Sequence, residues 1–298
     1  MNKEVNNLLD CQLATWETAR LNYEALAHVR LKEVNVCGVR YKVQFNPARI
    51  VSSAARVDNR SIRERRCFLC PANRPSEQQG IPFHGHYQIL LNPFPIFPRH
   101  LTIVENEHTP QRIASRMDDL LDLARLLTDF TVFYNGPCCG ASAPDHAHFQ
   151  AGNRGFLPIE SQWHTLGKTL LDTYGRANLL LLDDAPRHTL AITSPSAADA
   201  IQLFQRVYDA LPVAPGEEEP RLNILVLYEA DGWKLFIFPR RKHRPDCYYA
   251  EGEASLLCSP ASVDLGGVFI LPREEDFLRI GGSEIEEMLN EVCWEGKL

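Results

Sequence analysis

The chain has 298 residues, which is long enough to bury a sizeable hydrophobic core without borrowing stability from a partner. Its content of 45% hydrophobic and 23% charged residues is typical of an ordered globular protein and argues against disorder. The 31 basic and 38 acidic residues give a net charge of −7, so the protein has no overall positive field that would draw it onto nucleic acid.

The amino-terminal region predicts helices and no targeting signal. Residues 5–34 place leucines and a tryptophan near helical spacing, which indicates one or two amphipathic helices. The first twenty residues lack the apolar core of a signal peptide, and no stretch approaches the ~18 apolar residues of a membrane span. We therefore expect a cytoplasmic protein with no membrane partner, whose nine cysteines are mostly free thiols.

The next part of the chain predicts strands followed by a helix. Residues 36–46 alternate as a strand does, and residues 82–106 predict two strands joined by a proline-rich turn, because proline cannot donate to a central ladder. Thr109 and Pro110 form a helix start signal, a capping hydroxyl followed by proline at the first helical position. The apolar stripe that follows predicts a helix ending near Phe133.

The remaining segments complete an α+β pattern. Residues 146–152 predict a strand, and residues 194–213 predict a capped helix. Residues 221–241 predict a hairpin with Asp231-Gly232 at its turn, and residues 262–272 a further strand before a short acidic helix. The predicted fold class is α+β, with antiparallel strand pairs packed against helices.

The strongest chemical signal is the run NGPCCGASAPDHAHFQ, residues 135–150. On a strand, His146, His148 and Gln150 would point to one face. Imidazole, with a pKa near ~6.5, is largely unprotonated at neutral pH and can attack phosphorus. The glycine-rich loop upstream lets backbone N–H groups approach an anion. Because glutamine donates a hydrogen bond but is not an acid, the pattern favours transfer over hydrolysis; a core histidine pair or half of a metal site is the alternative.

This run resembles the active-site segment of the transferase branch of the histidine triad superfamily. That branch includes galactose-1-phosphate uridylyltransferase, diadenosine tetraphosphate phosphorylase and GDP-hexose phosphorylases. Residues 91–108, 223–241 and 262–272 are similar to other segments of the phosphorylases, and residues 148–160 are similar to the GDP-hexose phosphorylases in particular. The likeness covers roughly residues 40–275.

The resemblance implies histidine-triad-like antiparallel sheets packed with helices, and a duplicated half-barrel arrangement is one form of that fold. We expect an N-terminal helical region over residues 1–38, which the likeness does not cover. Residues 39–298 would form the nucleotidyltransferase domain, with a division into two similar halves as an alternative to a single unit.

By the same resemblance, His148 is the catalytic nucleophile and Gln150 binds the nucleotidyl phosphate. Further residues are implied to bind substrate or support its loop. Gly140, Ala141 and Ser142 would cradle phosphate oxygens, Asn92 and Phe94 would contact the ribose or base, Asn135 would brace the loop, and Arg240, Arg241 and Lys242 would meet the distal phosphates. For those three cations a solvated charged face is the alternative.

Cys67 and Cys70 form a C-x-x-C pair whose spacing lets both thiolates bind one zinc ion, although a redox pair has the same spacing. The segment resembles the zinc-binding segment of the uridylyltransferases. That likeness implies His108 and His146 as the other ligands of a structural zinc, with His100 as the alternative third ligand. The loop from cysteine to histidine is shorter here than in the uridylyltransferases.

Two other groups of residues predict a structural role. Cys138 and Cys139 lie in the glycine-rich loop, where small residues fill a tight turn and no nearby base is implied. His84 and His86 repeat the His-x-His spacing without a glycine loop or a glutamine.

Together these features predict a nucleotidyltransferase of the phosphorylase or uridylyltransferase type that works through a nucleotidyl-histidine. Its substrate would be a dinucleoside polyphosphate or an NDP-sugar, and its acceptor inorganic phosphate or a sugar phosphate. A nucleotide hydrolase of the same superfamily and a non-catalytic nucleotide-binding protein are the alternatives. We expect no nucleic-acid partner, and the sequence leaves a monomer and a homodimer both open.

Overall fold

The computed structural model describes residues 1–50 and 58–296. Within these residues there are nine α-helices: α1 (Asn2–Thr15), α2 (Glu17–Ala25), α3 (Asn59–Glu64), α4 (Met117–Leu126), α5 (Pro158–Gln162), α6 (Ala197–Ala210), α7 (Ser262–Leu265), α8 (Glu274–Arg279) and α9 (Gly282–Val292). The predicted domain over residues 39–298 includes residues 51–57, 297 and 298, which lie outside the described residues.

The same described residues form thirteen strands: β1 (Arg30–Val36), β2 (Val39–Phe45), β3 (Gly80–Phe83), β4 (Tyr87–Leu91), β5 (His100–Glu105), β6 (Phe130–Asn135), β7 (His148–Asn153), β8 (Lys168–Tyr174), β9 (Ala177–Leu182), β10 (Leu190–Ser194), β11 (Leu222–Glu229), β12 (Gly232–Pro239) and β13 (Val268–Leu271).

Ten of these strands form one sheet in the order β3-β4-β5-β7-β6-β11-β12-β10-β9-β8, and every neighbouring pair in it is antiparallel. Read inward from its own edge of the sheet, each set of five strands has the same connectivity. One set is β3-β4-β5-β7-β6 and the other is β8-β9-β10-β12-β11. Each set has one long helix, α4 or α6, between its third and fourth strands. We call residues 80–153 the first half and residues 168–239 the second half; they meet where β6 pairs with β11.

One face of the large sheet is covered by helices from the amino terminus and from both halves. α4 buries Met117, Leu120, Leu121 and Ala124, which recur at the spacing of one helical face. α6 begins as predicted, because the Ser196 side chain accepts a hydrogen bond from the N–H of Asp199. Apolar residues of α1 and α2 belong to the same core.

The other face is covered by a three-stranded sheet, β1-β2-β13, and by the carboxy-terminal helices. β13 runs parallel to β2, and β1 and β2 form a hairpin whose turn contains the predicted domain boundary at residues 38 and 39. The division into domains stays a prediction. The predicted α+β class, with antiparallel sheets packed against helices, is confirmed.

The helix predicted from Thr109 begins only at Met117. Residues ahead of it have other tertiary partners: the Gln111 side chain bonds to backbone groups of two strands, and the N–H of Ile113 donates to the Glu219 carboxylate. These contacts override a helix start signal that is correct in its residue types.

The predicted end of that helix near Phe133 is also wrong, because residues 130–135 form β6 and all six are buried. A second difference concerns the histidine strand, which starts at His148 rather than at His146. Only His148 and Gln150 therefore share a strand face. Among the described residues, every helix is too short or too polar to span a bilayer.

Candidate active site and metal cluster

His148 is the first residue of β7 and is only 5% exposed. Its backbone N–H donates to Oε1 of Gln111 at 2.8 Å, and Nε2 of Gln111 donates to the carbonyl oxygens of Asn135 and His148 at 3.0 and 2.9 Å. One buried glutamine thus ties the start of β7 to the end of β6. Sequence reasoning missed this role, because Gln111 lies within the predicted helix.

The tautomer of His148 follows from its ring contact. Nδ1 lies 2.8 Å from the carbonyl oxygen of His146, which can only accept, so Nδ1 carries the proton and Nε2 carries the lone pair. Burial lowers the pKa of His148 to about 4, so the ring is neutral near pH 7. A neutral imidazole with a free Nε2 lone pair is the form that attacks an electrophile.

Gln150 lies two residues further along β7, on the same face as His148. Its Oε1 is 3.0 Å from Nε2 of His100 and 3.5 Å from Nδ2 of Asn92. His100 is fully buried at the start of β5, opposite Gly152 of β7. The structure therefore places His100 beside Gln150.

The glycine-rich loop, residues 136–147, connects β6 to β7 and is braced at its start. Oδ1 of Asn135 accepts hydrogen bonds from Nδ2 of Asn223, at 2.8 Å, and from the N–H and hydroxyl of Ser262, at 2.9 and 2.7 Å. Nδ2 of Asn223 also donates to the carbonyl oxygen of Cys139 at 2.7 Å. The position of Asn135 agrees with the bracing role predicted for it.

Gly140 gives this loop its close approach to the rest of the protein. Its φ is +91°, and a Cβ there would lie 2.5 Å from Cβ of Ala261, so any other residue would be both strained and in collision. Within the described chain no residue accepts a hydrogen bond from the backbone N–H of Gly140, Ala141 or Ser142. Backbone N–H groups without a protein partner among the described residues are the kind that can bind an anion.

Four side chains of types that bind metals meet at the end of this loop, which itself contributes His146. The ligand atoms of Cys67, Cys70, His108 and His146 all lie within 4.8 Å of one another. Nδ1 of His146 is 3.3 Å from Sγ of Cys67, and Nδ1 of His108 is 3.2 Å from Sγ of Cys70. Ligands of one tetrahedral zinc ion are separated by roughly 3.3–3.8 Å, given bond lengths of about 2.0–2.3 Å.

The outer nitrogens of the two histidines have partners of the kind found around metal ligands. Nε2 of His146 lies 2.8 Å from the carbonyl oxygen of Glu105, and Nε2 of His108 lies 3.6 Å from the Asp145 carboxylate. Asp145 also pairs with Arg65 at 2.6 Å, and Arg65 donates to the carbonyl oxygen of Ser142 at 3.3 Å. Arg65 thereby links two parts of the glycine-rich loop, Ser142 and the residue beside His146.

His100 does not join this cluster, so its prediction as the alternative third ligand is wrong. Its Nε2 contacts Gln150, and its Nδ1 accepts from the N–H of Ile96. His108 occupies the third position instead.

The three cations predicted to meet the distal phosphates have partners within the protein, and their contact with phosphate stays a prediction. The buried guanidinium of Arg240 donates to Oδ1 of Asn223 and to backbone carbonyl oxygens. Arg241 donates to the carbonyl oxygens of residues 290 and 291, and Lys242 pairs with the carboxylates of residues 246 and 291. Arg240 reaches the glycine-rich loop indirectly, through Asn223.

The two predicted ribose or base contacts differ in accessibility. Nδ2 of Asn92 donates to Oγ1 of Thr102 at 3.1 Å, and Oδ1 of Asn92 accepts from the N–H of Phe94 at 2.9 Å. These bonds commit Asn92 to other protein groups. Phe94 is 38% exposed, which leaves its ring able to contact a ligand.

The residues predicted to be structural differ in their surroundings: Cys138 and Cys139 are partly or fully buried, whereas His84 and His86 lie in the exposed turn between β3 and β4. Burial raises the pKa of Cys138 and raises that of Cys139 to about 12, so both thiols are protonated near neutral pH and are poor nucleophiles. Nδ1 of His84 lies 2.9 Å from Oδ1 of Asp119, and Nε2 of His86 lies 3.5 Å from the same carboxylate.

Two family models match the chain. One, described as a domain of unknown function (DUF4922), matches residues 8–153, and the other, the GDPGP1-like C-terminal domain, matches residues 170–297. In Saccharomyces cerevisiae, Protein APA1 is 38% identical over 96 residues, which cover 27% of this chain and 30% of that protein. Diadenosine 5',5'''-P1,P4-tetraphosphate phosphorylase 2 of the same yeast is 30% identical over 129 residues, which cover 37% and 38%. The match spans about a third of the length of these relatives.

Solved structures extend the likeness to nearly the whole fold. The crystal structure of yeast Ap4A phosphorylase Apa2 has a TM-score of 0.62 at 17% identity, and covers 93% of this chain and 96% of that one. The same enzyme in complex with Ap4A has a TM-score of 0.59 at 16% identity and covers 94% and 97%. The predicted fold likeness is confirmed.

Proposed function

We propose that this chain phosphorolyses a dinucleoside polyphosphate through a nucleotidyl-histidine, as its likeness to the transferase branch of the histidine triad superfamily suggests. The relatives named above include a diadenosine tetraphosphate phosphorylase and a structure with Ap4A bound. The residues that would perform the reaction are those of the His148 site.

In the first step, Nε2 of His148 attacks the α-phosphorus. A nitrogen–phosphorus bond forms, and the bond to the bridging oxygen breaks, so the remaining nucleotide leaves as an anion. The proton on Nδ1 stays hydrogen-bonded to the His146 carbonyl oxygen while the ring gains positive charge. The N–H groups of the loop and the amide of Gln150 would donate to the phosphoryl oxygens.

In the second step, an oxygen of inorganic phosphate attacks the same phosphorus. The nitrogen–phosphorus bond breaks, a nucleoside diphosphate is released and the lone pair returns to Nε2. An amide at position 150 cannot act as an acid or base, so nothing at that position would activate water in place of phosphate.

The observation that carries this proposal is the fixed tautomer of His148, whose Nε2 lone pair lies on the same strand face as the Gln150 amide. Protein incubated with diadenosine tetraphosphate labelled at the α-phosphorus should give an adduct that is labile to acid and stable to alkali. The His148→Gly variant should give none, because the attacking atom is missing.

The exposed His164 provides a matched control, since His164→Gly removes an imidazole outside the site. Its labelling should equal that of the unchanged protein. Equal labelling of the His148→Gly variant would refute the assignment. Turnover in phosphate-free buffer at the same rate would instead support the hydrolase alternative, and saturable binding without any adduct would support a non-catalytic protein.

An NDP-sugar is the second candidate substrate. The GDPGP1-like match covers the carboxy-terminal part of the chain, and residues 148–160 resemble GDP-hexose phosphorylases. Mass spectrometry of phosphate-dependent turnover over a panel of dinucleoside polyphosphates and NDP-sugars distinguishes the two classes.

The cluster of Cys67, Cys70, His108 and His146 fits a structural zinc ion in donor type, spacing and outer partners. Four protein ligands leave no open position for substrate, so a zinc ion there would hold structure rather than take part in a step. It would fix His146, whose carbonyl oxygen in turn orients the ring of His148.

Zinc content is measurable directly. We expect about one zinc per chain by elemental analysis, and about none in a Cys67→Ser, Cys70→Ser double variant, whose melting temperature should fall because metal binding stabilises the folded state. The exposed Cys11 and Cys37 provide the control double variant, which should keep its zinc. Well under one zinc per chain, with no effect of chelator on melting, would remove this proposal.

A further inference from the structure

We propose that His100 is a positioning residue that fixes which end of the Gln150 amide faces the reacting phosphate. The inference rests on the proposed function and adds to it a residue that never touches substrate. It follows from two chains of hydrogen bonds that end at the Gln150 side chain. One starts at the backbone N–H of Ile96 and the other at that of Phe94.

The first chain passes through His100. The N–H of Ile96 lies 3.2 Å from Nδ1 of His100, and a backbone N–H can only donate, so Nδ1 is the unprotonated nitrogen. Nε2 therefore carries the ring proton and donates it to Gln150 at 3.0 Å. Full burial keeps the ring neutral, so this tautomer persists.

The second chain passes through Asn92. The N–H of Phe94 donates to Oδ1 of Asn92 at 2.9 Å, which leaves the Nδ2 group of Asn92 on the other side. That group donates to Thr102 at 3.1 Å and lies 3.5 Å from the amide oxygen of Gln150. Asn92 thus presents a second donor to the same atom.

Both chains place donors on one end of the Gln150 side chain, so that end must be the oxygen. A flipped amide would set N–H against N–H at His100 and at Asn92. The Nε2 group of Gln150 is consequently held on the opposite side with two protons to donate. Phosphoryl oxygens can only accept, so this is the orientation that the chemistry needs.

If His100 acts through Gln150, the two residues are not independent. We would measure the rate of adduct formation from α-labelled diadenosine tetraphosphate, and the rate of adduct loss to phosphate, in a double-variant cycle. His100→Leu and Gln150→Ala should each slow both rates by about 10- to 100-fold. The double variant should be no slower than Gln150→Ala alone. A purely structural role for His100 would make the two losses multiply, and that result would overturn the proposal.

His100→Gln preserves a donor near the position of Nε2 and guards against a misfolded leucine variant. It should retain rates within about fivefold of the unchanged protein. A folded His100→Gln protein as slow as Gln150→Ala would count against the proposal. His164→Leu, at an exposed site, is the matched control and should change neither rate.

Nitrogen-15 NMR of the histidine rings tests the inference independently of activity. His100 should show a proton on Nε2 and none on Nδ1 throughout pH 5–8. A proton on Nδ1 would overturn the positioning role even in an active enzyme. Absence of any adduct in the unchanged protein, with the expected tautomer present, would instead defeat the proposed function.

Discussion

The two halves of the ten-stranded sheet share their connectivity but differ in the link between their last two strands. In the first half, β6 and β7 are joined by twelve residues, 136–147, which form the glycine-rich loop. In the second half, β11 and β12 are joined by only residues 230 and 231. A tight hairpin cannot surround a ligand, so of these two links only the one in the first half is long enough to do so.

The strands that follow these links differ in the same sense. β7 presents His148 and Gln150 to the face covered by the small sheet, whereas β12 presents Phe236 and Phe238 to that same core. Connectivity alone therefore does not produce chemistry. One link and two side chains distinguish the half that carries the proposed site from the half that does not.

The second half should then govern stability more than chemistry, and Arg187 provides the largest expected effect. Its guanidinium is fully buried, pairs with Asp184 at 2.8 Å and donates to the carbonyl oxygen of Leu265 at 2.7 Å. Arg187→Leu leaves a buried carboxylate without its partner, so the free energy of unfolding in urea should fall by about 3–5 kcal/mol. The amount of adduct formed per folded molecule should change by less than about threefold.

Arg206→Leu is the matched control, because it removes an exposed ion pair with Asp172 in the same half. It should cost less than about 1 kcal/mol. Loss of labelling in a fully folded Arg187→Leu protein would contradict the claim that the second half affects stability more than chemistry.

A smaller loss of stability but a larger loss of chemistry is expected at Gly140. Gly140→Val combines a left-handed φ with a collision against Ala261, so it should lower the free energy of unfolding by about 2–4 kcal/mol and labelling at least about tenfold. Gly38 has φ +86° with nothing within 4 Å of a Cβ. Gly38→Val should therefore cost about 1–2 kcal/mol and leave labelling unchanged. Equal effects of the two variants on labelling would show that the loop shape is irrelevant.

The smallest effect tests the contact between the halves. Asn223 belongs to β11 but bonds to Asn135 and to the carbonyl oxygen of Cys139. Asn223→Ala should lower the free energy of unfolding by about 1–3 kcal/mol, because buried polar groups lose their hydrogen-bond partner. It should also slow labelling severalfold. The exposed Asn178 in β9 is the control, and Asn178→Ala should shift stability by no more than about 0.5 kcal/mol.

Sequence reasoning predicted the elements whose signals are local. The hairpin at Asp231-Gly232 and the helix capped by Ser196 lie where turn and capping chemistry place them. The cluster of Cys67, Cys70, His108 and His146 was also predicted, through the resemblance of one segment to the uridylyltransferases, and its four side chains do meet. Strands β8, β9 and β10 carried no comparable signal and were not predicted.

What the sequence could not show depends on contacts between distant segments. Gln111 lay in a predicted helix, but its side chain forms hydrogen bonds with the backbone of His148, which is 37 residues further along the chain. His100 was the alternative to His108 as the third metal ligand, but its ring contacts Ile96 and Gln150 instead. Arg240 was expected to meet phosphate, but burial and five backbone or side-chain acceptors occupy it. In each case the residue type indicated that the side chain has a specific role, but the sequence did not indicate which group it contacts.

The pairing of β6 with β11 has a consequence for dissecting this protein. Every residue of β6 is buried, and its second ladder partner comes from beyond residue 153, where the first family match ends. A fragment that ends at residue 153 would lack β11, so β6 would become an exposed, apolar edge strand. Such edges recruit other chains, so the truncated protein should aggregate rather than behave as a minimal enzyme.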